Sequence, residues 1–342
     1  MKYISFVVPT YNSQDYLRKC IESLLPGGED VEIIIVNDGS KDNTLAIANE
    51  YKEKYPTIVR VIDKENGGHG SGVNAGMKIA TGIYYKCVDS DDWVDLEAYM
   101  KLLNTIKSNH ENNTEPDLIF TNYVFERIDL GKQYVENYIN KKFPKDRIFT
   151  WKEAKKLKVA QFLMMHMFIY KLDILKESKL ELPEKTFYVD SLYVYQPLKY
   201  VKTLQYLDID FYRYYVGRPG QSVTYENMTR RYAQQVKVMT HMVLAHSYEE
   251  LKKLDKRHRY YMIHDLIVKL YMTSFYIYAD HNKEKNQVYK EFWKTFKANN
   301  RSLYYKMRYR TYFIVSLLLI KPIRIWATVL GYKKLMNTTG WN

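Results

Sequence analysis

Apolar and polar positions along residues 1–125 follow two alternating periods. Near-continuous apolar runs, typical of strands covered on both faces, are each followed by a segment whose apolar residues recur at helical spacing. The predicted strands cover residues 3–8, 31–36, 59–63 and 83–88, and the predicted helices begin near Ser13, Thr44 and Val73. Such alternation predicts an α/β fold with a mostly parallel, Rossmann-like sheet and helices on both faces.

The pattern becomes mixed after residue 117. It predicts strands at 118–124 and 164–171, a helix near 151–159, a helix from Asp190 to Leu198, and long helices over 225–300. We therefore expect a first domain over 1–224 with halves at 1–115 and 116–224, a helical region at 225–300, and a basic tail at 301–342.

Polar clusters follow each of the first four predicted strands, at residues 9–12, 37–42, 64–72 and 89–92. Ligands of such sheets bind beyond the carboxyl ends of the strands, so these clusters are expected to meet at one edge. In the last cluster, Asp89 and Asp91 suit a hard divalent cation, Mg²⁺ or Mn²⁺, that shares its shell with a diphosphate. Asp92 could accept hydrogen bonds from sugar hydroxyls. An acidic turn that only caps the next helix explains these four residues equally well.

The net charge of +13 is concentrated at one end of the chain. Residues 292–342 hold ten Lys or Arg and no acid, which leaves +3 for residues 1–291. The first domain is therefore not expected to bind nucleic acid. No export signal is visible at the start, and Cys20 and Cys87 fall in apolar patterns that indicate reduced core residues. A cytoplasmic protein is predicted.

Five motifs occur in order over about 90 residues: VVPTYN at 7–12, VNDGSKDNT at 36–44, ENGG at 65–68, NAG at 74–76 and DSDDW at 89–93. Together they resemble the bacterial family 2 glycosyltransferases that make capsular, exopolysaccharide or cell-wall glycans. The resemblance implies a GT-A fold, a nucleotide-diphosphate sugar as donor, a bound Mn²⁺ or Mg²⁺, and inversion at the anomeric carbon.

The resemblance also assigns residues to the donor. The nucleotide-sugar-binding set is Pro9, Thr10, Tyr11, Asn12, Asp38, Asn66, Gly67, Asp89, Ser90, Asp92, Arg218 and Ser222. Within it, Tyr11 lies near the base and Asp38 accepts the imide hydrogen of the base. Asp89 and Asp91 are the metal pair, and His166 and Trp93 are placed on the acceptor side. Residues 1–115 become the nucleotide-sugar half and residues 116–224 the acceptor half.

The chain departs from the family pattern at two positions. Many members carry Arg where this chain has Val73, so either the amides of the glycine-rich loop 67–72 or a cation elsewhere must meet the diphosphate charge. Arg218, with its planar fork, is the first candidate for that cation, and His69 is a second. The catalytic base is expected at Asp190, where Val189 replaces the common Glu before it. Without the resemblance, Asp190 is better explained as a helix cap.

The tail contains an apolar run at Tyr312–Ile320 that ends at Lys321, well short of the roughly 20 residues needed to cross a bilayer. Basic and aromatic residues interleaved with apolar ones favour a segment lying on an anionic membrane surface. Packing on the catalytic domain or on a second copy, as in a homodimer, is the alternative. We therefore expect a peripheral enzyme on the inner face of the cell membrane, moving a hexose or N-acetylhexosamine, most readily from a UDP-sugar, to a glycan or lipid-linked glycan.

Two other functions are compatible with parts of the sequence. Residues 70–75 fit the G-x-G-x-x-A fingerprint of dehydrogenases that bind a nicotinamide cofactor, and Asp89 follows about 20 residues later. The glycines, however, lie some six residues beyond the strand instead of at its end. A membrane-attached glycan-binding scaffold derived from a transferase is the non-enzymatic alternative, and the intact metal and base candidates weigh against it.

Overall fold

The computed structural model describes residues 1–158, 161–217, 221–222, 224–278 and 282–308, together with Ile323, Trp326 and Leu330. The chain packs as two compact units. The first comprises Met1–Lys155, Met164–Val189 and Tyr200–Gly220, and the second comprises Lys156–Leu163, Asp190–Lys199 and Gln221–Asn342. The expected boundary at residue 224 stays a prediction. The expected basic tail lies outside the described residues from 309 onward, apart from the three single positions.

The first unit contains twelve strands and five helices. The strands are β1 Ile4–Thr10, β2 Val31–Asp38, β3 Val59–Lys64, β4 Tyr84–Cys87, β5 Trp93–Val94, β6 Leu118–Phe120, β7 Tyr123–Arg127, β8 Lys132–Glu136, β9 Ile148–Thr150, β10 Phe168–Lys171, β11 Thr203–Tyr206 and β12 Tyr212–Tyr215. The helices are α1 Leu17–Leu24, α2 Thr44–Lys54, α3 His69–Ile79, α4 Leu96–Glu111 and α5 Leu172–Glu177. Short 3₁₀ turns cover Leu25–Asp30, Ile128–Leu130, Tyr138–Lys141, Trp151–Glu153 and Met165–Met167.

An eight-stranded sheet forms the centre of this unit, in the order β3-β2-β1-β4-β10-β6-β11-β9. The four strands β3, β2, β1 and β4 are mutually parallel, and β1 and β2 are buried along their whole length. This burial on both faces explains the near-continuous apolar runs in the sequence. The predicted mostly parallel sheet is confirmed, and its parallel strands bring the loops after β1 to β4 to one edge.

A second sheet of four strands has the order β5-β12-β7-β8. The sequence predicted one strand over 118–124, but the structure has β6 and β7, one in each sheet. The chain changes sheet at Asn122, whose side-chain amide donates to carboxylate oxygens of Asp208 and Asp210, 3.0 Å away in each case. These polar contacts end the first strand, which the apolar pattern of residues 118–124 did not indicate.

Two further predicted elements are wrong in extent. The helix predicted near 151–159 is a single 3₁₀ turn over Trp151–Glu153, since the backbone of Ala154 is already extended. The strand predicted from residue 164 begins only at Phe168, after the turn Met165–Met167. Helix α3, by contrast, begins four residues earlier than predicted, at His69.

The second unit is helical. Its helices are α6 Asp190–Leu198, α7 Tyr225–Arg230, α8 Tyr232–Ala245, α9 Tyr248–Lys252, α10 Lys256–Tyr278, α11 Lys283–Asn299 and α12 Arg301–Arg308. Both the predicted helix that starts at Asp190 and the long helices after 225 are confirmed. Within the part of the chain that the structure describes, none of the helices combines the length and the apolar character needed to cross a membrane.

Candidate active site

The loops after β1 and β2 are tied to each other. The backbone amide of Asn12 donates to the Ser40 hydroxyl over 3.0 Å, and the amide of Lys41 donates to the Asn12 side chain over 2.8 Å. Thr10 is buried, and its hydroxyl donates to the carbonyl of Val36 over 3.2 Å. Tyr11 stands between these contacts with its side chain 52% exposed. An exposed aromatic ring on a fixed loop can stack on a planar ligand such as a nucleobase.

Asp38, the last residue of β2, joins the second loop to the third. Its carboxylate accepts from the amide of Gly67 over 2.9 Å, the amide of Gly68 over 2.7 Å and the Lys64 ammonium over 2.8 Å. The side-chain amide of Asn66 donates to the Asp38 carbonyl over 2.9 Å. Asp38 therefore organises the loop that contains Asn66 and Gly67, and its proposed contact with a base imide is an additional role that stays a prediction.

The glycine-rich segment differs from the expected phosphate loop. The amides of Gly67 and Gly68 are bonded to Asp38, and residues 69–72 are already helical. The segment is therefore a loop only as far as Gly68, and the expectation that its amides meet the diphosphate charge stays a prediction. The dehydrogenase-like fingerprint at 70–75 lies wholly inside α3, and a Cβ at Gly72 would come within 2.9 Å of Pro9. Gly72 therefore serves close packing of α3 on β1, and a Cβ at Gly70 would come within 3.0 Å of Leu182 and Pro183.

The acidic loop after β4 holds Asp89 between two histidines. The Nε2 atom of His69 lies 2.9 Å from Asp89 Oδ1, and Nε2 of His166 lies 3.9 Å from Oδ2. Burial opposes ionisation of Asp89, but the neighbouring imidazoles of His166 and His69 hold the pKa of its carboxyl well below the ordinary value. Asp89 therefore carries a negative charge at neutral pH.

Asp92 in the same loop is 1% exposed, and protein donors occupy both of its oxygens. The Tyr212 hydroxyl donates to Oδ2 over 2.6 Å and the Tyr215 amide to Oδ1 over 2.8 Å. Burial, with the charges of Asp91 and Asp89, raises the pKa of Asp92 well above its ordinary value. Asp92 fixes the loop against β12, and its predicted contact with sugar hydroxyls is untested.

The other two residues of the loop lie at its surface or beneath it. Ser90 is nearly buried, and its hydroxyl is 2.7 Å from that of Ser13 in the loop after β1. Asp91 is half-buried. Ligand-type atoms of Asp89, Asp92 and His166 lie within 4.8 Å of one another. The assignment of Asp89 and Asp91 as the metal pair stays a prediction.

A buried lysine lies beneath this loop. Lys86 is fully buried in β4, its ammonium donates to the carbonyls of Met165 and His166 over 3.2 Å and 2.5 Å, and it lies 4.6 Å from the ring centroid of Tyr212. Burial lowers the pKa of Lys86 to about 7. Sequence reasoning did not single out Lys86, although a lysine inside an otherwise apolar strand was a visible signal. Lys64 beside Asp38 was missed as well, because it looked like an ordinary strand end.

The two residues assigned to the acceptor have different surroundings. His166 is 5% exposed and stacks on Tyr214 with ring centroids 4.3 Å apart, so it supports the site from within. Trp93 in β5 is half-buried, and the Lys19 ammonium lies 3.0 Å from its ring centroid. Both acceptor assignments stay predictions.

The segment that leads to Asp190 packs on the start of α3. Asn74 exchanges two hydrogen bonds with the backbone of Leu182, over 2.8 Å and 2.9 Å, and the Ser71 hydroxyl donates to Glu184 over 3.0 Å. Two residues before Asp190, Tyr188 has φ +66°, a left-handed conformation that a non-glycine residue adopts at a cost. Its neighbour Val189 is the last residue of the Met164–Val189 segment of the first unit.

Three assigned residues fall elsewhere. Asp190 is half-buried and is the first residue of α6, in the second unit. Ser222 is also half-buried and belongs to the second unit. Arg218, the predicted diphosphate cation, lies outside the described residues.

Comparison with known protein families gives one match, which covers half of the chain. The model of glycosyl transferase family 2 matches residues 5–177, a range that includes β1 to β10 and the acidic loop. EpsH of Bacillus subtilis (strain 168), named as a glycosyltransferase, is 38% identical over 162 residues, which are 43% of this chain and 45% of EpsH. The poly(ribitol-phosphate) beta-glucosyltransferase of Bacillus spizizenii is 43% identical over 116 residues, 32% of this chain and 18% of that protein. The chain thus spans less than half the length of these two relatives.

Solved structures share the fold at low sequence identity. Residues 1–349 of S. aureus TarS superpose with a TM-score of 0.66 at 19% identity, covering 96% of this chain and 89% of TarS. A complex of the same TarS fragment with UDP-GlcNAc has a TM-score of 0.54 at 20% identity, covering 91% and 93%. A mannosyltransferase of Pyrobaculum calidifontis in complex with GDP-Man and Mn²⁺ has a TM-score of 0.53 at 14% identity, covering 98% and 86%. The expected GT-A architecture is confirmed.

Proposed function

The chain belongs to the family 2 glycosyltransferases, and on that premise we propose that it is an inverting, metal-dependent sugar transferase. It moves a hexose or N-acetylhexosamine from a nucleotide-diphosphate sugar to a hydroxyl of a glycan or lipid-linked glycan. The product is a polysaccharide or a cell-wall glycan. The names of the relatives, among them a poly(ribitol-phosphate) beta-glucosyltransferase, support this class of product.

The observation that carries the proposal is the convergence of four loops at one edge of the parallel strands. Contacts of Asn12, Asp38 and Ser90 link the loops after β1, β2, β3 and β4 into one surface. That surface exposes an aromatic ring at Tyr11 and ionised oxygen at Asp89. An aromatic ring for a base and a carboxylate for a phosphate-bound cation are the two chemistries that a nucleoside diphosphate needs.

Asp89 and Asp91 would hold Mn²⁺ or Mg²⁺, since carboxylate oxygens suit a hard cation and the two acids stand in one loop directly after β4. When bound, the ion neutralises charge that develops on the departing diphosphate. The mannosyltransferase complex with Mn²⁺ supports a divalent ion, and the TarS complex supports UDP as the nucleotide.

Asp190 is the proposed catalytic base. In the transfer, the acceptor oxygen forms a bond to the anomeric carbon while the bond from that carbon to the diphosphate oxygen breaks, and the acceptor proton passes to the carboxylate of Asp190. Asp190 follows directly on the segment that Ser71 and Asn74 hold on α3. Arg218 and Ser222 are proposed to contact the diphosphate, and His166 and Trp93 to line the acceptor side.

Substitution of the two acids should separate their roles. Asp190→Asn is expected to keep donor and metal binding and to lose transfer by at least about 100-fold, because the proton has no acceptor. Asp91→Asn is expected to lose Mn²⁺-dependent binding of the donor. Isothermal titration with UDP-, GDP- and dTDP-sugars in the presence of Mn²⁺ measures donor binding and identifies the nucleobase of the donor. Release of the nucleoside diphosphate measures transfer.

Asp173→Asn is the matched control, because Asp173 is another acid in the first turn of a helix, is exposed, and has no role in the proposed site. It should behave as wild type. The roles are wrongly assigned if Asp190→Asn abolishes donor binding while Asp91→Asn keeps it. A wild-type chain that binds glycans but never cleaves a nucleotide sugar would instead be the glycan-binding scaffold.

A further inference from the structure

His69 occupies an unusual place for a histidine. It is the first residue of α3, directly after the two glycines that bond to Asp38, and its side chain is 33% exposed. Its Nε2 atom lies 2.9 Å from Oδ1 of Asp89, across a separation of 20 residues. The ligand-type atoms of His69, Cys87 and Asp89 all lie within 4.8 Å of one another.

We propose that His69 is a positioning residue of the donor site, which fixes the orientation of the Asp89 carboxylate through the Nε2–H···Oδ1 hydrogen bond. The inference rests on the proposed function, since it concerns how Asp89 binds the cation. One oxygen of Asp89 is held by the imidazole, and the remaining lone pairs of the carboxylate are left for the ion. Partners that hydrogen-bond to a metal-ligating side chain orient it and are worth about 10–100-fold in metal affinity.

His69 is better placed for this role than the other groups around Asp89. In the described part of the chain, the ion-pair contacts of the Asp89 carboxylate are with His69 and His166. His166 lies a full 1 Å farther away, at 3.9 Å against 2.9 Å, and its ring is stacked on Tyr214. Only the His69 contact has the length of a hydrogen bond.

The same contact bears on the missing arginine at Val73. Val73 is fully buried in α3, so a side chain there does not reach the surface of the site. His69, one turn earlier in the same helix, brings a basic group to the acidic loop instead.

Three variants test whether the hydrogen bond, and not only the volume of the ring, is needed. Mn²⁺ is titrated into protein saturated with UDP, and its dissociation constant is measured by calorimetry or by the spin resonance of free Mn²⁺. His69→Leu removes the donor, His69→Asn has an amide too short to reach, and His69→Gln places an amide nitrogen near the original Nε2. We expect His69→Leu and His69→Asn to raise the dissociation constant of Mn²⁺ by about 10-fold or more. His69→Gln should keep it within about 3-fold of wild type.

His110→Leu is a closely matched control. His110 makes the same kind of pair, with Nδ1 2.6 Å from Glu115, and the two side chains are 35% and 21% exposed, against 33% and 26% for His69 and Asp89. It lies near the end of α4 and packs against Tyr3, which directly precedes β1 and so lies at the opposite end of that strand from the acidic loop. Mn²⁺ affinity should therefore not change. Thermal melting of each variant shows whether it is folded. If His69→Leu is not folded, the comparison of His69→Asn with His69→Gln tests the hydrogen bond.

The possible outcomes separate the two proposals. Mn²⁺ affinity that is unchanged in both His69→Leu and His69→Asn overturns the positioning role and leaves the proposed function intact. Equal losses of Mn²⁺ affinity in folded His69→Asn and His69→Gln also overturn it. They would show that the packing of the ring matters and the hydrogen-bond donor does not. If wild type fails to bind Mn²⁺ with UDP or any other nucleoside diphosphate, both the metal assignment and this inference fall.

Discussion

At the scale of single residues, Glu32 is a buried acid of the first unit with several hydrogen-bond donors around it. Glu32 lies within β2 and is 3% exposed. Its Oε1 accepts from the Ser5 hydroxyl and the Thr81 amide, each over 2.6 Å, and its Oε2 accepts from Arg60 over 3.0 Å. Burial opposes ionisation, but these donors together lower the pKa of Glu32 below its ordinary value of 4.5.

Glu32→Gln should destabilise the fold by about 1–3 kcal/mol at neutral pH, because the new amide NH₂ faces groups that are themselves donors. Because the pKa of Glu32 is lower in the folded protein than in the unfolded chain, its carboxylate contributes fully to the free energy of unfolding above the ordinary pKa of glutamate. That contribution is lost as pH falls toward the lowered pKa. The difference in the free energy of unfolding between wild type and Glu32→Gln should therefore become smaller as pH falls below 4.5. Urea midpoints at a series of pH values measure it.

Glu53→Gln, on the exposed face of α2, is the control and should change the free energy of unfolding by less than about 0.5 kcal/mol at any of these pH values. If the difference in free energy of unfolding between wild type and Glu32→Gln becomes larger in acid, the pKa of Glu32 is not lowered in the folded protein.

Individual site residues were predictable from sequence only as far as a motif names them. Asp38, Asp89 and Asp91 were identified in this way and lie at the predicted edge of the sheet. Their partners Lys64 and His69 are 26 and 20 residues away in the chain. Such pairs depend on how β2 is registered against β3 and on where α3 begins, and neither is encoded in a local pattern.

At the scale of elements, the periodicity predicted β1, β2 and β4 because these strands are buried on both faces, and the helices because they are buried on one. The edge strand β3 is only partly buried and was predicted from its apolar residues Val59, Val61 and Ile62. Prediction failed where polar side chains divide an apolar run. Asn122 bonds to Asp208 and Asp210, more than 80 residues away, and thereby splits residues 118–124 between two sheets. The pattern over residues 151–159 predicted a helix, but the chain makes a single turn there, which Thr150 and Glu153 cap.

The packing of α3 on β1 gives a prediction at this scale. Gly76 lies in α3 against Val7, and a Cβ at this position would overlap the Val7 side chain. Gly76→Ala should therefore destabilise the fold by about 1–3 kcal/mol, although alanine is the better helix former. Chemical denaturation measures the change.

Lys78→Ala in the same helix is the control, because Lys78 is exposed and its substitution should cost less than about 0.5 kcal/mol. If Gly76→Ala proves as stable as wild type or more so, helix propensity outweighs the contact and α3 is packed less closely than described.

At the scale of the whole molecule, charge is distributed unevenly along the chain. The expected membrane-binding tail begins at residue 301, but α12, which covers Arg301–Arg308, packs within the second unit with Leu303 and Met307 fully buried. Segments that lie on a membrane keep their apolar face for lipid. The part of the tail available for a lipid surface is therefore better taken as residues 309–342. The basic residues in that range are Arg310, Lys321, Arg324, Lys333 and Lys334, and it contains no acid.

Deletion of residues 309–342 should release the protein from vesicles that contain anionic phosphatidylglycerol, because each Lys or Arg near such a surface contributes about 1 kcal/mol. The truncated chain keeps α12 and should melt as wild type does.

A full-length variant with the five basic residues changed to Gln separates charge from apolar contact. It should lose the salt-sensitive part of binding and keep any weak binding to neutral phosphatidylcholine vesicles. If the truncated chain sediments with anionic vesicles as strongly as the intact chain, the tail is not the membrane-binding segment, and the alternative of packing on a second copy becomes the better explanation of its sequence.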